Sequence, residues 1–368
     1  MDTPSLTIGI EEEYQVVDPG TGELRSYVTE LIEDDRAVLE RVQPELHAST
    51  LEVASPVCDT PAEAREEVVR LRREVLDLAR ESGLEIVSAG THPFAWWQEQ
   101  EITPLDRYRG IRDDMGEVAQ RMLAFGLHVH IGIEDRDFLV DALNVSRYFL
   151  PHILALSTSS PFWSGRRTGL KSYRSVVWEN FPRTGIPPGV ASWPEYRETV
   201  DTLVATGCIP DGSKIWWDAR PSWNYPTLEF RVCDACTRVD EAVCIAALFQ
   251  ALVAKLWMLR SDNLTFRVYP KAYTDENKWR AVRYGLDGRL VDFGKQQEVP
   301  VRDLLHELIE DFLADAIDEL GTWDQVEHAY RIMEEGTSAD RQLDVYRETG
   351  DLDAVVDHLI RETEEDVV

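Results

Sequence analysis

The chain has 368 residues, with 38 Lys+Arg against 68 Asp+Glu and a formal net charge of −30. Hydrophobic residues make up 43% and aromatic residues 9%, enough for a sizeable core, which excludes a disordered chain. The acidic balance sets aside nucleic acid and anionic membranes as partners, because both surfaces repel such a chain.

Six of the basic residues are Lys and 32 are Arg. An acidic, Lys-poor surface of halophilic type keeps a protein soluble where salt screens its repulsion. An acidic cytosolic protein from a GC-rich genome has the same composition. Five scattered Cys (58, 208, 233, 236, 244) form no disulfide framework, so a reducing cytoplasm is expected. Cys233 and Cys236 make a lone CxxC without the second pair that supports a zinc site. The first residues lack the basic and apolar regions of a signal peptide.

Residues 7–17 alternate, with Ile8, Ile10, Tyr14 and Val16 on one face and Gly9, Glu11, Glu13 and Gln15 on the other. That pattern predicts a strand, with Glu12 as the one charge on its apolar side. A short strand is expected over 49–54. Thr60, Pro61 and Glu63 predict a capped helix ending near Gly83. Residues 84–89, 125–133 and 227–233 read as further strands. The apolar stretch 242–259, interrupted by Gln250 and Lys255, reads as a buried core helix and not a membrane span. From about residue 300 the chain turns helical, and its last dozen acidic residues are expected to fray.

No repeat or Gly/Ser-rich linker divides the chain, so one domain is expected over residues 1–368. Strands with one apolar and one polar face point to an α+β fold, a mostly antiparallel sheet with helices on one side and an open polar side.

Three strands carry ionisable pairs on that polar face: Glu11 with Glu13, His128 with His130, and Glu229 with Arg231. Glu52 belongs to the polar side of the second strand, and Glu45 lies just before it. Carboxylates with an imidazole suit a hard cation such as Mg²⁺ or Mn²⁺. An Arg among them suits a phosphate. Together they suggest a triphosphate site. Taken singly, each pair is as well read as a solvated acidic patch, two structural histidines or half a zinc site, and a surface ion pair. No GxxxxGK[ST], GxGxxG, HExxH or GxSxG motif is present.

Several segments together resemble the glutamate–cysteine ligases of the second type, the YbdK-like carboxylate–amine ligases. They are IGIEEEY (8–14), ELHASTLE (45–52), GTHPF (90–94), FGLHVHIG (125–132), SYR (172–174), PRTG (182–185), WWD (216–218), PTLEFR (226–231), NKWRA (277–281) and GTSADRQ (336–342). The resemblance implies a glutamine-synthetase-like catalytic fold, a curved antiparallel sheet cupping Mg²⁺ and ATP with helices on its outer face. It implies that ATP activates the γ-carboxylate of L-glutamate as an acyl phosphate, which an amine, L-cysteine by default, then attacks. By the family pattern the metal ligands are Glu11, Glu13, Glu45, Glu52, His128 and Glu229. Arg231, Glu13 and Glu229 are expected to be catalytic, and Arg231, Arg174, Arg183 and His130 to contact nucleotide or substrate. Asp234 and Arg341 are weaker candidates. A homo-oligomer fits the family analogy. The alternatives are a ligase of the same mechanism with another amine, a metal-dependent amide hydrolase, and a non-catalytic nucleotide sensor.

Overall fold

A computed structural model describes residues 3–29 and 42–367. Its central sheet has seven strands: β1 (Ile8–Val17), β2 (Val42–Pro44), β3 (Thr50–Ala54), β4 (Glu85–Val87), β5 (Gly126–Gly132), β6 (Ala219–Pro221) and β7 (Thr227–Asp234). They run in the order β6-β7-β5-β1-β3-β2, with β4 also on β1, and every pairing is antiparallel. The α+β expectation therefore holds.

The register explains the two faces. Tyr14 opposes Leu51, Ile10 opposes Val129 and Phe230 opposes Val129, so apolar side chains share one side. Glu13 opposes Glu52, Glu11 opposes His128, and Glu229 opposes both His130 and Arg220, so the ionisable ones share the other. The apolar side is covered by helices. α1 (Pro61–Arg80) starts where the Thr60 side chain accepts from the Glu63 amide at 3.2 Å. The Glu63 carboxylate returns to the amide of Asp59 at 2.7 Å, one residue before the expected partner. α5 (Val239–Ser261), numbered after the short helices α2 (Arg136–Ser146), α3 (Leu150–Leu156) and α4 (Tyr173–Trp178), stacks Phe249 on Phe230 with ring centroids 4.0 Å apart. Its most apolar window is 78% buried, as a core helix requires.

Two expectations need correction. The polar side of the sheet is not open. Segments carrying Tyr108 and Met122, and others carrying Trp178, Phe181 and Trp216, lie over it and form a second apolar cluster. The C-terminal end does not fray either. The last helix, Leu352–Glu364, buries Val355, Val356 and Leu359 against Val17, Val87 and Phe162. Its apolar stripe outweighs the acids around it.

Glu12 is the exception on the apolar side, and it is matched. The Arg72 guanidinium of α1 is fully buried and donates to Glu12 at 2.5 and 3.1 Å. Arg72 also donates to the carbonyls of Thr237 at 2.6 Å and Cys236 at 2.9 Å, and the Tyr14 hydroxyl donates to Glu12. Removing one member of such a pair leaves a buried, unpaired charge. We expect Arg72→Met to lower unfolding stability by about 3–5 kcal/mol in denaturant titrations. Arg70→Ala, on an exposed pair of the same helix, should change it by under about 0.5 kcal/mol.

Candidate functional site

The ionisable face of the sheet forms the floor of a cavity of about 330 Å³. Glu11, Glu13, Glu52, His128 and Arg231 line it from the strands, and Glu45 joins them from the turn after β2. Among the described residues two groups of possible metal donors gather on this face of the sheet: Glu11 with His130 and Glu229, of which only Glu11 lines the cavity, and Glu13 with Glu45 and Glu52, all lining it. In each group the donor atoms lie within 4.8 Å of one another.

The first group is surrounded by the protein's own cations. Arg220 grips Glu229 in a fork at 2.8 and 2.9 Å, and Arg231 Nη1 donates to it at 2.5 Å. Burial opposes ionisation of Glu229, but Arg220 and Arg231 win and hold it well below the usual carboxylate range. Arg231 follows Glu229 by two residues on β7 and so shares its face, and the pairing with β5 shifts register between Phe230 and Cys233. Glu11 lies 3.1 Å from His128 Nδ1 and 3.3 Å from His130 Nε2. Burial opposes its charge too, yet the two imidazoles keep it well below the ordinary value.

The two histidines differ. Burial lowers His128 to about 4, helped by Arg231, so its ring is neutral. With the Nδ1 proton toward Glu11, its Nε2 is a buried acceptor with no partner. His130 bonds Thr227 Oγ1 through Nδ1 at 2.9 Å. Burial would lower it, but Glu11 and Glu229 outweigh that and raise it.

The second group lacks such partners. Glu13 accepts from the Gly126 amide at 2.6 Å, and Glu45 from the Leu46 amide at 2.7 Å. Burial, together with Glu45, raises Glu13 to about 7. Burial also raises Glu45. Glu52 is pushed well above the usual range by burial and by Glu45, Glu11 and Glu13. Three carboxylates facing one another this way fit a divalent cation.

Sequence-derived residues meet here in unequal degree. Glu11, Glu13, Glu45, Glu52, Glu229 and Arg231 converge. His130, expected to contact nucleotide or substrate, completes the first donor group, while His128 stands beside Arg231 at 3.3 Å. Arg174 is buried in α4 and approaches the floor because residue 126 is Gly; a Cβ there would stand 2.4 Å from its Nη2. Arg183 does not line the cavity. It donates to the Lys214 carbonyl at 2.9 Å and lies over the Trp216 ring. Asp234 is a structural acceptor for Ser159, Ser160 and Ser172, and Arg341 pairs with Glu241 and Glu362. Cys233 and Cys236 are buried and belong to neither donor group.

Sequence reasoning missed Arg107, Lys214, Arg220, Trp178 and Tyr225, all of which line the cavity. Arg220 follows the WWD segment by two residues. It sits on a three-residue strand, too short for alternation to show.

The family described as Glutamate-cysteine ligase family 2 matches residues 7–358. A relative from Roseiflexus castenholzii is 57% identical over 363 residues, covering 98% of this chain and 96% of its own. Another, from Solibacter usitatus, is 53% identical over 363 residues, covering 98% and 94%. The names of both provisionally assign them as glutamate–cysteine ligase 2. Among solved structures, a glutamate–cysteine ligase from Francisella tularensis in complex with AMP aligns with TM-score 0.73 at 14% identity, covering 100% of this chain and 90% of that one. A bifunctional glutathione synthetase from Pasteurella multocida aligns with TM-score 0.71 at 14% identity, covering 98% and 52%. These two likenesses establish the fold.

The raised carboxyls have a consequence for stability. A carboxyl whose pKa rises on folding favours the folded state most where it is protonated, and that advantage is lost as pH climbs through the folded value. For Glu13 the loss falls between the ordinary 4.5 and about 7. In chelator, Glu13→Gln should therefore be more stable than the parent above pH 7, by on the order of 1–3 kcal/mol, and indistinguishable from it below pH 4.5. Thermal unfolding across that range checks it.

Proposed function

The chain belongs to glutamate–cysteine ligase family 2, and from that membership we propose that it is an ATP-dependent γ-glutamyl ligase, joining the γ-carboxylate of L-glutamate to the amine of L-cysteine. The observation that carries the reading is the pair of donor groups on one sheet face, with Arg231, Arg220, Arg107 and Lys214 in the lining of the cavity above it. An amide hydrolase gains little from so many cations beside its metal ligands. A polyphosphate substrate uses Arg231, Arg107 and Lys214, while Arg220 stays on Glu229.

In the proposed reaction an oxygen of the γ-carboxylate attacks the terminal phosphorus of ATP, and ADP leaves. The amine nitrogen then attacks the acyl carbon, and phosphate leaves, taking up the proton that the nitrogen loses. Two Mg²⁺ ions, or Mn²⁺, would be held by Glu11, His130 and Glu229 and by Glu13, Glu45 and Glu52, and would supply charge neutralisation at the phosphate oxygens. Arg231, on the same face of β7 as Glu229, stabilises the negative charge that grows on the transferred group. Glu229 holds Arg231 in place before substrate arrives. The neutral His128 offers its free Nε2 as a hydrogen-bond acceptor. Arg174, beside the floor, is placed to hold a substrate carboxylate or phosphate. The apolar cover of Met122, Phe181 and Trp216 keeps water from the reactive acyl group. Arg183 supports Trp216 from outside the cavity.

The test is ADP release with ATP, Mg²⁺ and L-glutamate, with and without L-cysteine. Cysteine-dependent release is expected. Arg231→Ala should lower kcat by at least about 10²-fold while the protein stays folded by circular dichroism. Release with a different amine would replace the acceptor, and silence from a folded, ATP-binding protein would overturn the reading.

A further inference from the structure

The NKWRA segment supplies no residue to the acidic cavity. It lies on α6 (Lys271–Tyr284), and its Lys278 is 4% exposed, the one lysine in the interior among the described residues. A buried ammonium is costly unless it is paired. Lys278 is paired twice: its Nζ donates to Asp218 Oδ2 at 2.6 Å and to Glu179 Oε1 at 2.7 Å. Burial would lower its pKa, but the two carboxylates outweigh that and raise it, so the charge stays.

The two partners differ. Asp218 is buried and immediately precedes β6, the strand of Arg220. Its carbonyl accepts from the Arg231 amide at 2.8 Å. Glu179 is half-exposed and ends α4, next to Trp178. An exposed carboxylate is satisfied by water, so Glu179 does not need Lys278. What the contact does is fix the end of α4 against the start of β6.

The end of α4 matters because of Trp178. Its ring carries both guanidinium groups beside the floor, with Arg231 Cζ 5.2 Å and Arg174 Cζ 5.6 Å from the centroid. A ring face attracts such cations. Arg231 has few other holds. Its Nη1 is shared between Glu229 and His128, and its Nε is buried without a partner. In the proposed reaction Nη1 leaves Glu229 for a phosphate. The Trp178 ring and the backbone bond to Asp218 are then what keep Arg231 aimed.

We propose that Lys278 is a positioning residue for Arg231. It holds Glu179 and Asp218 at once, and so keeps the Trp178 ring against the guanidinium and the Arg231 backbone against the start of β6. The inference rests on the reading that Arg231 stabilises the transferred phosphoryl group.

The experiment combines fluorine NMR with steady-state kinetics on the full chain. In protein grown with 5-fluorotryptophan, the Trp178 line is assigned by its loss in Trp178→Phe. Glu179→Ala removes the half-exposed partner and leaves the buried Lys278–Asp218 pair in place, so the chain stays folded. It should move the Trp178 line in the absence of any ligand. In ADP release it should lower kcat about tenfold and leave the KM for ATP within about twofold, since the lost hold acts on the transition state. Lys278→Met should lose both line position and rate. Lys278→Arg should return both toward the parent, because a cavity of about 510 Å³ beside residue 278 takes the longer side chain. In an Arg231→Ala background Glu179→Ala should cost nothing further, because its effect runs through Arg231. An unmoved Trp178 line, an unchanged kcat, or a loss that adds in full to that of Arg231→Ala would each overturn the inference. A parent chain silent with every amine overturns the ligase reading instead, and the Trp178 line then still decides whether Lys278 sets that ring.

Discussion

The fold turns on the period of one strand. β1 must put Glu12 among apolar side chains and Glu11 and Glu13 on the opposite side, and only one register does both. The pairings of Glu11 with His128 and Glu13 with Glu52 are that register. A slip of one residue would drive two carboxylates into the core and leave the Arg72 guanidinium there without its partner. Each consequence costs several kcal/mol. The buried Glu12–Arg72 pair is therefore more than a neutralised charge. It ties β1 to α1 and to the carbonyls after β7, the three elements whose relative placement sets the site. A pair of that kind is weak evidence for stability in itself, since apolar side chains of similar volume often do as well. Its value here is the register it enforces.

Alternation carried the legible part of this structure. IGIEEEY, FGLHVHIG and PTLEFR each show an apolar and a polar face, and the sheet places those faces as the periodicity demands. Glu11, Glu13, Glu52, Glu229 and Arg231 could be grouped before any coordinates. Choosing between His128 and His130 could not be done that way, because both share a face. The choice depends on which strand lies on either side, and β7 sets Glu229 opposite His130. What covers the site was also illegible. Tyr108, Met122, Phe181 and Trp216 come from short helices, turns and two-residue strands with no period to read. Arg220 belongs to the same class, since three residues of strand give no pattern.

The two donor groups stand in opposite electrostatic states. Around Glu11 and Glu229 the chain supplies its own counter-charges, from Arg220, Arg231 and the imidazole of His130. Those carboxylates stay ionised, and the group is ordered in advance. Around Glu13, Glu45 and Glu52 burial and mutual repulsion dominate, and the carboxyls retain protons that a free carboxylate would lose. The proposed function asks different work of each. At the second group a cation displaces protons, so its binding strengthens as pH rises. At the first it must compete with guanidinium groups already in place.

That competition suggests an order of events within the proposed reaction. Arg231 cannot grip a phosphate fully while its Nη1 is committed to Glu229. A phosphate entering the cavity offers Arg231 a stronger, doubly charged partner and draws it away. Glu229 is then left with the Arg220 fork on both oxygens, and the lone pair of Oε1 that Arg231 had taken is open to a cation next to Glu11 and His130. The Glu13 group, needing no such exchange, can fill first. Within the proposed reaction a nucleotide would complete the first donor group by drawing away the Arg231 contact, and until then Arg220 and Arg231 hold Glu229 neutralised. The Arg220 fork keeps that carboxylate paired throughout, so the exchange never leaves a buried, unpaired charge.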